Sequence, residues 1–183
     1  TASWASIDYY GRFKPLQYAA KRFFSPILIS CCETGEHTTR DAVTRQQNQY
    51  DYETKARLSV HNDALSAVSG TVHWALRDRT AAVLEEGRQS VTLPPLTVLT
   101  LDEMDFHKTD VLDHYLSFSF CNEDGAVVSE GTCLFTLPKY FRYTDPHLRY
   151  TVNGDEITVS ATAYAAFVEI DSPDSDCILS DNY

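Results

Sequence analysis

The chain has no long hydrophobic run and little positive charge. None of its apolar stretches approaches the roughly 18 residues that a membrane-spanning helix requires, and residues 1–24 lack the apolar core of a secretory signal. Lysine and arginine number 15 against 26 aspartate and glutamate residues, which gives a formal net charge of −11. A surface that acidic repels phosphate groups, so neither nucleic acid nor an anionic membrane is an expected partner.

Cysteine pairs with the spacing of a metal site or a disulfide framework are also missing. The five cysteines are odd in number, two of them are adjacent, and none forms a C-x-x-C pair (Cys31, Cys32, Cys121, Cys133 and Cys177). This pattern argues against a zinc ribbon and against a fold held together by several disulfide bonds. We expect the cysteines to be small buried thiols within strands. The pattern does not decide whether one disulfide bridge forms.

The common catalytic motifs are absent, and the chemistry-bearing clusters that do occur have simpler explanations. The sequence holds no G-x-S-x-G, no glycine-rich phosphate loop and no H-E-x-x-H, so neither a metal nor a cofactor is predicted. Glu123 follows Asn122 as the acid of many glycosidases does, but Asp124-Gly125 comes next and predicts a hairpin turn with a solvated carboxylate. The acidic run Asp171–Asp176 lacks the glycine and final glutamate of a calcium loop and is interpreted as a solvated loop.

The first two dozen residues predict one amphipathic helix. Apolar side chains recur at helical spacing (Phe13, Leu16, Ala20, Phe23, Phe24 and Ile27), while Pro15 suits a first turn and Ser25-Pro26 ends the pattern. We therefore expect a helix over about 13–24. Its aromatic face is large for a helix at the edge of a small domain, so it should pack on a partner surface outside the chain.

After Pro26 the apolar period changes from helical to alternating. The alternating groups are residues 27–32, Ala56/Leu58/Val60, Val72/Trp74/Leu76, 91–101, Leu116/Phe118/Phe120 and the surroundings of Leu134. Residues 33–53 are polar and predict a long excursion loop. Short strands separated by turns every 8–12 residues predict an antiparallel sandwich of immunoglobulin type, with Trp74 in its core and His73 on the wetter face.

The pattern resumes after Pro138 and predicts a second, partial sandwich. Strands are expected at about 148–152, 156–162, 165–170 and 177–179. Only 46 residues remain from Pro138 onward, which is fewer than half of the roughly 100 residues that such a fold takes. The predicted fold class is mainly β, with immunoglobulin-like sandwiches preceded by one helix. The predicted divisions are a helix in 1–25, a sandwich in 26–138 and a partial sandwich in 139–183, with the chain ending inside a domain.

Four stretches resemble β-mannosidases of glycoside hydrolase family 2. The string SWASIDYYGRFK at 3–14, continuing to YAAKRFFSP at 18–26, is similar to the segment that leads into the last helix of the catalytic barrel. Asn62-Asp63 with GTVHWALRD at 70–78 is similar to the signature of the immunoglobulin-like domain that follows. Leu134-Phe135 with Pro138-Lys139 and Asp145-Pro146 resembles the next junction, and LSDNY at 179–183 resembles part of the final domain.

The resemblance implies an accessory role. Such enzymes are exo-acting, retaining hydrolases of terminal β-linked mannose whose two catalytic glutamates lie in the barrel, so no catalytic residue is assigned in this chain. The implied partners are an upstream catalytic barrel of the same polypeptide and, through it, a mannose-containing glycan. Trp4, Asp8 and Tyr9 would lie near the loop that leaves the last barrel strand and are the candidate substrate-binding residues.

Two alternatives stay open. In the first, Trp4 and Tyr9 fasten the barrel to the sandwich and do not contact sugar. In the second, the chain is a free-standing immunoglobulin-like module that binds carbohydrate or protein.

Overall fold

The computed structural model describes residues 4–33, 53–107, 109–171 and 178–182. The predicted loop at 33–53 and the acidic run at 171–176 lie almost wholly outside these residues. The regular elements are α1 (Pro15–Phe23), β1 (Ile27–Glu33), β2 (Lys55–Asn62), β3 (Val68–Asp78), β4 (Val83–Leu93), β5 (Thr97–Thr100), β6 (Met104–Asp105), β7 (His114–Asn122), β8 (Val127–Leu134), a short 3-10 helix (Pro138–Tyr140), β9 (Arg149–Asn153) and β10 (Glu156–Ser160). In this part of the chain no helix is long and apolar enough to span a membrane.

The chain forms two compact units. One is Pro26–Tyr164, and the other joins Thr1–Ser25 with Ala165–Tyr183. This division differs from the predicted boundary between residues 138 and 139, which stays a prediction.

In the described part of the larger unit, two antiparallel sheets form a sandwich, and β9 and β10 form a separate two-stranded sheet. In one sheet β1 and β5 flank β2, which also pairs with β6, and in the other the strand order is β4-β3-β7-β8. Burial alternates along β2, where Ala56, Leu58 and Val60 are buried, and inward side chains of both sheets meet in one apolar cluster that includes Val72, Leu116 and Phe120. Two packed antiparallel sheets with alternating inward residues are the immunoglobulin-like architecture, so the predicted fold class is confirmed.

Trp74 packs against the edge of the apolar core and is not enclosed by it. Its ring is partly buried, meets Phe106 edge-on at 5.7 Å between ring centroids, and lies over Gly87, its partner on β4. Phe118, the partner of Trp74 on β7, lies in the same way over Gly131 on β8. The prediction that places Trp74 in the core is corrected in degree: the ring packs against the core but is only partly buried, because the glycine beside it on the neighbouring strand has no side chain to cover it.

A buried asparagine ties together two loops at one end of the sandwich. Asn62 is fully buried, and its Nδ2 donates to the carbonyl oxygens of Ser66 and Pro94, both at 2.9 Å, and of Leu93 at 3.3 Å. Its Oδ1 accepts from the backbone N–H of Ala64 at 3.0 Å. The side chain therefore satisfies backbone groups of the loops after β2 and β4, at Ala64, Ser66 and Pro94.

Tyr164 holds the last part of the larger unit on the sandwich. Its ring stacks on Tyr115 with centroids 4.0 Å apart and meets Phe141 edge-on, and its N–H donates to the carbonyl of Arg79 at 3.0 Å. Burial raises the pKa of both Tyr115 and Tyr164 above the usual tyrosine value. Between Phe141 and Tyr164 the chain forms the hairpin of β9 and β10, which is largely exposed.

Three predicted elements differ from the structure. The helix begins at Pro15 rather than Phe13, because Phe13 bridges to Ile7 instead of entering the helix. Residues 165–170 are not a strand, and neither are the described residues 178–179. In place of strand pairing, the Asn182 side chain accepts from the N–H of Ile170 at 2.7 Å and donates to its carbonyl at 3.0 Å, as a neighbouring peptide would.

Candidate functional site

The predicted site residues Asp8 and Tyr9 lie in a closed loop, Ser6–Lys14, which we call the aromatic loop. Its ends are joined where the Lys14 N–H donates to the Ser6 carbonyl at 2.9 Å, next to the bridge between Ile7 and Phe13. Its tip is joined where the Asp8 N–H donates to the Arg12 carbonyl at 2.9 Å. Gly11 has φ +85°, a left-handed conformation that favours glycine, so the tight return of the chain depends on that residue.

The Asp8 carboxylate organises the tip of this loop. Its Oδ1 accepts from the backbone N–H groups of Tyr10 at 2.8 Å and Arg12 at 2.9 Å. Its Oδ2 accepts from Nε of the Arg12 side chain at 2.7 Å. The backbone hydrogen bond from Arg12 and the adjacent guanidinium lower the pKa of Asp8 below its usual value, so the group is a carboxylate at neutral pH.

The loop presents aromatic rings to solvent. Trp4, Tyr9 and Tyr10 are 98%, 95% and 78% exposed. The two tyrosine rings meet edge-on with centroids 5.3 Å apart, and the Arg12 guanidinium lies 5.2 Å from the Tyr10 centroid. In this arrangement the Tyr10 ring contacts the Tyr9 ring on one side, and the exposed Tyr9 ring is available for stacking.

The structure therefore brings two of the three predicted residues, Asp8 and Tyr9, into one loop. Trp4 precedes the loop and is almost wholly exposed. Tyr10 was not among the predicted site residues, although its position between Tyr9 and the turn glycine Gly11 is a sequence signal for an exposed ring.

The loop is anchored to α1. Ser6 donates through Oγ to Oε1 of Gln17 at 2.6 Å, and the Phe13 ring meets the buried Tyr18 ring edge-on at 5.7 Å. Near its other end, α1 is held by Lys21, whose Nζ donates to the carbonyl of Ser180 at 2.8 Å, and by the ion pair of Arg22 with Asp181. A helix fixed at both ends gives the aromatic loop a defined base.

Glu123 lies in an exposed hairpin turn, as predicted. Asn122 closes the turn, because its Oδ1 accepts from the N–H groups of Asp124 at 3.1 Å and Ala126 at 2.9 Å. Gly125 has φ +80°, which the turn requires. Glu123 therefore lies at a solvated hairpin tip between β7 and β8.

Two other features of the structure are weaker candidates for a site. Among the described residues, no three or more His, Cys, Asp or Glu side chains are grouped so that they would hold a metal ion. A shallow groove of about 530 Å³ crosses the outer face of β3, β4 and β7. Its lining is mainly polar, and the lining residues include no Phe, Tyr or Trp (the polar ones are Ser69, Thr71, His73, Ser90, Thr92, Asn122 and Glu123). The aromatic loop is the better candidate for contact with a sugar, whose apolar ring face stacks on aromatic side chains.

Comparisons with known protein families define the class of this fold. A family model described as a mannosidase Ig/CBM-like domain matches residues 54–140, and one described as an Ig-fold domain matches residues 143–183. The two models together account for more than two thirds of the chain. Residues 54–140 are therefore similar to the immunoglobulin-like domains of mannosidases, and residues 143–183 are similar to an Ig-fold domain.

Individual relatives are β-mannosidases. The chain is 22% identical over 179 residues to β-mannosidase A of Aspergillus terreus, a match that covers 89% of this chain and 18% of the relative. A solved structure of β-D-mannosidase from Dictyoglomus thermophilum aligns with a TM-score of 0.73 at 18% identity, over 93% of this chain and 19% of that one. The predicted resemblance to the C-terminal portion of a β-mannosidase is confirmed, and the chain spans less than a fifth of the length of either relative.

Proposed function

We propose that this chain is a non-catalytic accessory region of a β-mannosidase. In this proposal the enzyme removes terminal β-D-mannose with retention, and the catalytic carboxylates belong to a barrel in the same polypeptide. The observation that carries the proposal is the match of residues 54–140 to a mannosidase Ig/CBM-like domain, followed at residues 143–183 by the match to an Ig-fold domain. Retention requires two carboxylates about 5 Å apart, and the one candidate raised by the sequence, Glu123, lies in a solvated turn.

The aromatic loop is proposed to contribute to the rim of the sugar site. Trp4 and Tyr9 are exposed rings of the kind that stack on a pyranose, and Asp8 lies beside Tyr9. The apolar surface that is exposed at Leu16 of α1 and at Phe24, which directly follows α1, supports a packing partner, which we propose to be the barrel.

The proposal is tested by comparing the 183-residue chain with the longer polypeptide that contains it, using 4-nitrophenyl β-mannoside. The longer polypeptide should release nitrophenol, and the chain alone should not, because retention requires a carboxylate nucleophile, which this proposal places in the barrel. The control variant Glu123→Gln should leave the activity of the longer polypeptide unchanged. Turnover by the chain that Glu123→Gln abolishes would contradict the proposal.

A free-standing binding module is the second candidate function, and the exposed rings of Tyr9 and Tyr10 favour it. It predicts that the 183-residue chain by itself binds a mannose-containing oligosaccharide. Calorimetric titration with β-1,4-mannobiose discriminates the two functions. Micromolar affinity that is lost in Tyr9→Ala would support the module, whereas no heat of binding would support the accessory role.

A further inference from the structure

We propose that Asp8 is a positioning residue that holds Tyr9 and Tyr10 in place for sugar contact and does not itself bind the sugar. This inference rests on the proposed function, and it assigns different roles to side chains that are adjacent in sequence. The geometry that carries it is the set of three hydrogen bonds that the Asp8 carboxylate accepts from the residues following it in the same loop.

The carboxylate is directed toward the inside of its own turn. Oδ1 is shared by two backbone N–H groups, those of Tyr10 and Arg12, and Oδ2 receives the Arg12 side chain. A sugar hydroxyl that competed for these oxygens would open the turn that presents the tyrosines. The three donors occupy most of the roughly four acceptor sites of the carboxylate, so a ligand that displaced any of them would weaken the presentation of Tyr9.

The hydrogen bond from the Tyr10 N–H fixes the peptide between Tyr9 and Tyr10. Rotation of that peptide would move both rings, because their edge-on contact at 5.3 Å depends on the directions of the two neighbouring Cα–Cβ bonds. Arg12 adds a second restraint, because its guanidinium binds Asp8 through Nε and lies over the Tyr10 ring. Asp8, Arg12 and Tyr10 thus form a support for the Tyr9 ring.

Two variants of Asp8 separate positioning from direct binding. In Asp8→Asn the remaining Oδ1 can still accept both backbone N–H groups, as asparagine does in side-chain turns, whereas Asp8→Ala removes every acceptor. A ligand-binding role would require the carboxylate itself, so both variants would fail alike. The exposed turn residue Glu123 provides a matched control, Glu123→Gln.

The first measurement is made on the 183-residue chain and does not involve sugar. Hydrogen exchange at the Tyr10 and Arg12 amides should be at least about tenfold faster in Asp8→Ala than in wild type, since a hydrogen bond to a charged acceptor contributes on that scale. In Asp8→Asn the exchange should stay clearly slower than in Asp8→Ala, because a neutral amide oxygen still accepts both N–H groups although the bond from the Arg12 side chain is lost. Unchanged exchange in Asp8→Ala would overturn the positioning role.

The second measurement is the hydrolysis of β-1,4-mannobiose by the longer polypeptide. Asp8→Ala and Tyr9→Ala should each raise KM by about tenfold with kcat little changed, and Asp8→Asn should stay within about twofold of wild type, because only binding energy from an ordered ring is lost. Equal impairment of Asp8→Asn and Asp8→Ala, with slow exchange in Asp8→Asn, would overturn the proposal in favour of direct binding.

Two further outcomes keep this inference separate from the proposed function. Fast exchange in Asp8→Ala with wild-type kinetics would overturn the sugar role of the aromatic loop and leave the mannosidase assignment intact. A wild-type polypeptide without activity on any β-mannoside would instead refute the proposed function, and the exchange experiment would still report whether Asp8 orders the loop.

Discussion

Replacing Asn62 with alanine should destabilise the sandwich more than any surface change of the same size. The Asn62 amide has two N–H groups and one oxygen, and all of them are used on backbone groups of the loops after β2 and β4. The three shortest of these hydrogen bonds, at a net of about 0.5–1.5 kcal/mol each, give a loss of about 1.5–4.5 kcal/mol. For a unit of this size that loss corresponds to a fall in Tm of about 6–18 °C.

The assay is thermal and urea unfolding of the 183-residue chain, followed by circular dichroism. Asp63→Ala is the matched control, because the neighbouring Asp63 side chain is exposed and its residue is held through its backbone N–H, which donates to the Pro26 carbonyl. The control should stay within about 0.5 kcal/mol of wild type. An Asn62→Ala chain as stable as the control would refute the reasoning and would mean that water replaces the amide without loss.

A third variant tests the sign of the charge effect. Asn62→Asp places a carboxylate against the carbonyl oxygens that now accept from Nδ2, so we expect the pKa of the new carboxyl group to be raised above its unfolded value. The variant should therefore be closest to wild type below about pH 4 and lose stability as the pH rises through its folded pKa. A constant difference from wild type between pH 4 and 7 would contradict this reasoning.

Two further predictions concern the packing of aromatic rings. Gly87→Ala should cost about 1–3 kcal/mol in urea unfolding, because a Cβ there would lie 2.5 Å from the Trp74 ring, whereas Arg88→Ala on the exposed face should be nearly neutral. Burial raises the pKa of Tyr115 and Tyr164, so the stability they contribute is complete below pH about 10 and is lost as the pH rises through their folded pKa values. Ultraviolet titration should accordingly show tyrosines that ionise at a higher pH in the folded chain than in the urea-unfolded chain. The same titration curve for the folded and the unfolded chain would contradict the burial.

The alternation of apolar residues was sufficient to predict most of the sandwich. In β2, Ala56, Leu58 and Val60 point to one side whatever the rest of the chain does, because successive side chains of a strand face opposite ways. The Asn122–Gly125 turn was equally predictable, since Asp-Gly between two alternating runs favours a tight hairpin through local backbone preferences. Where local preference and burial agree, a sequence is enough to determine the element.

The candidate site was predictable in part. The resemblance of residues 3–14 to β-mannosidases selected Trp4, Asp8 and Tyr9, and the aromatic loop contains the last two. The direction of the Asp8 carboxylate was not predictable, because it depends on where the Tyr10 and Arg12 N–H groups lie once the turn has closed.

Other features were decided only by tertiary structure. Residues 165–170 have the composition of a strand, yet their backbone is satisfied at Ile170 by the side chain of Asn182, which is distant in sequence. Asn62 reads as a turn residue, and its burial depends on loops after two different strands that meet around its amide. Composition and periodicity show which residues prefer water, and this is enough to determine a strand. Only the packing of the sheets decides which distant group pairs with a given N–H and which residue lies beside the Trp74 ring.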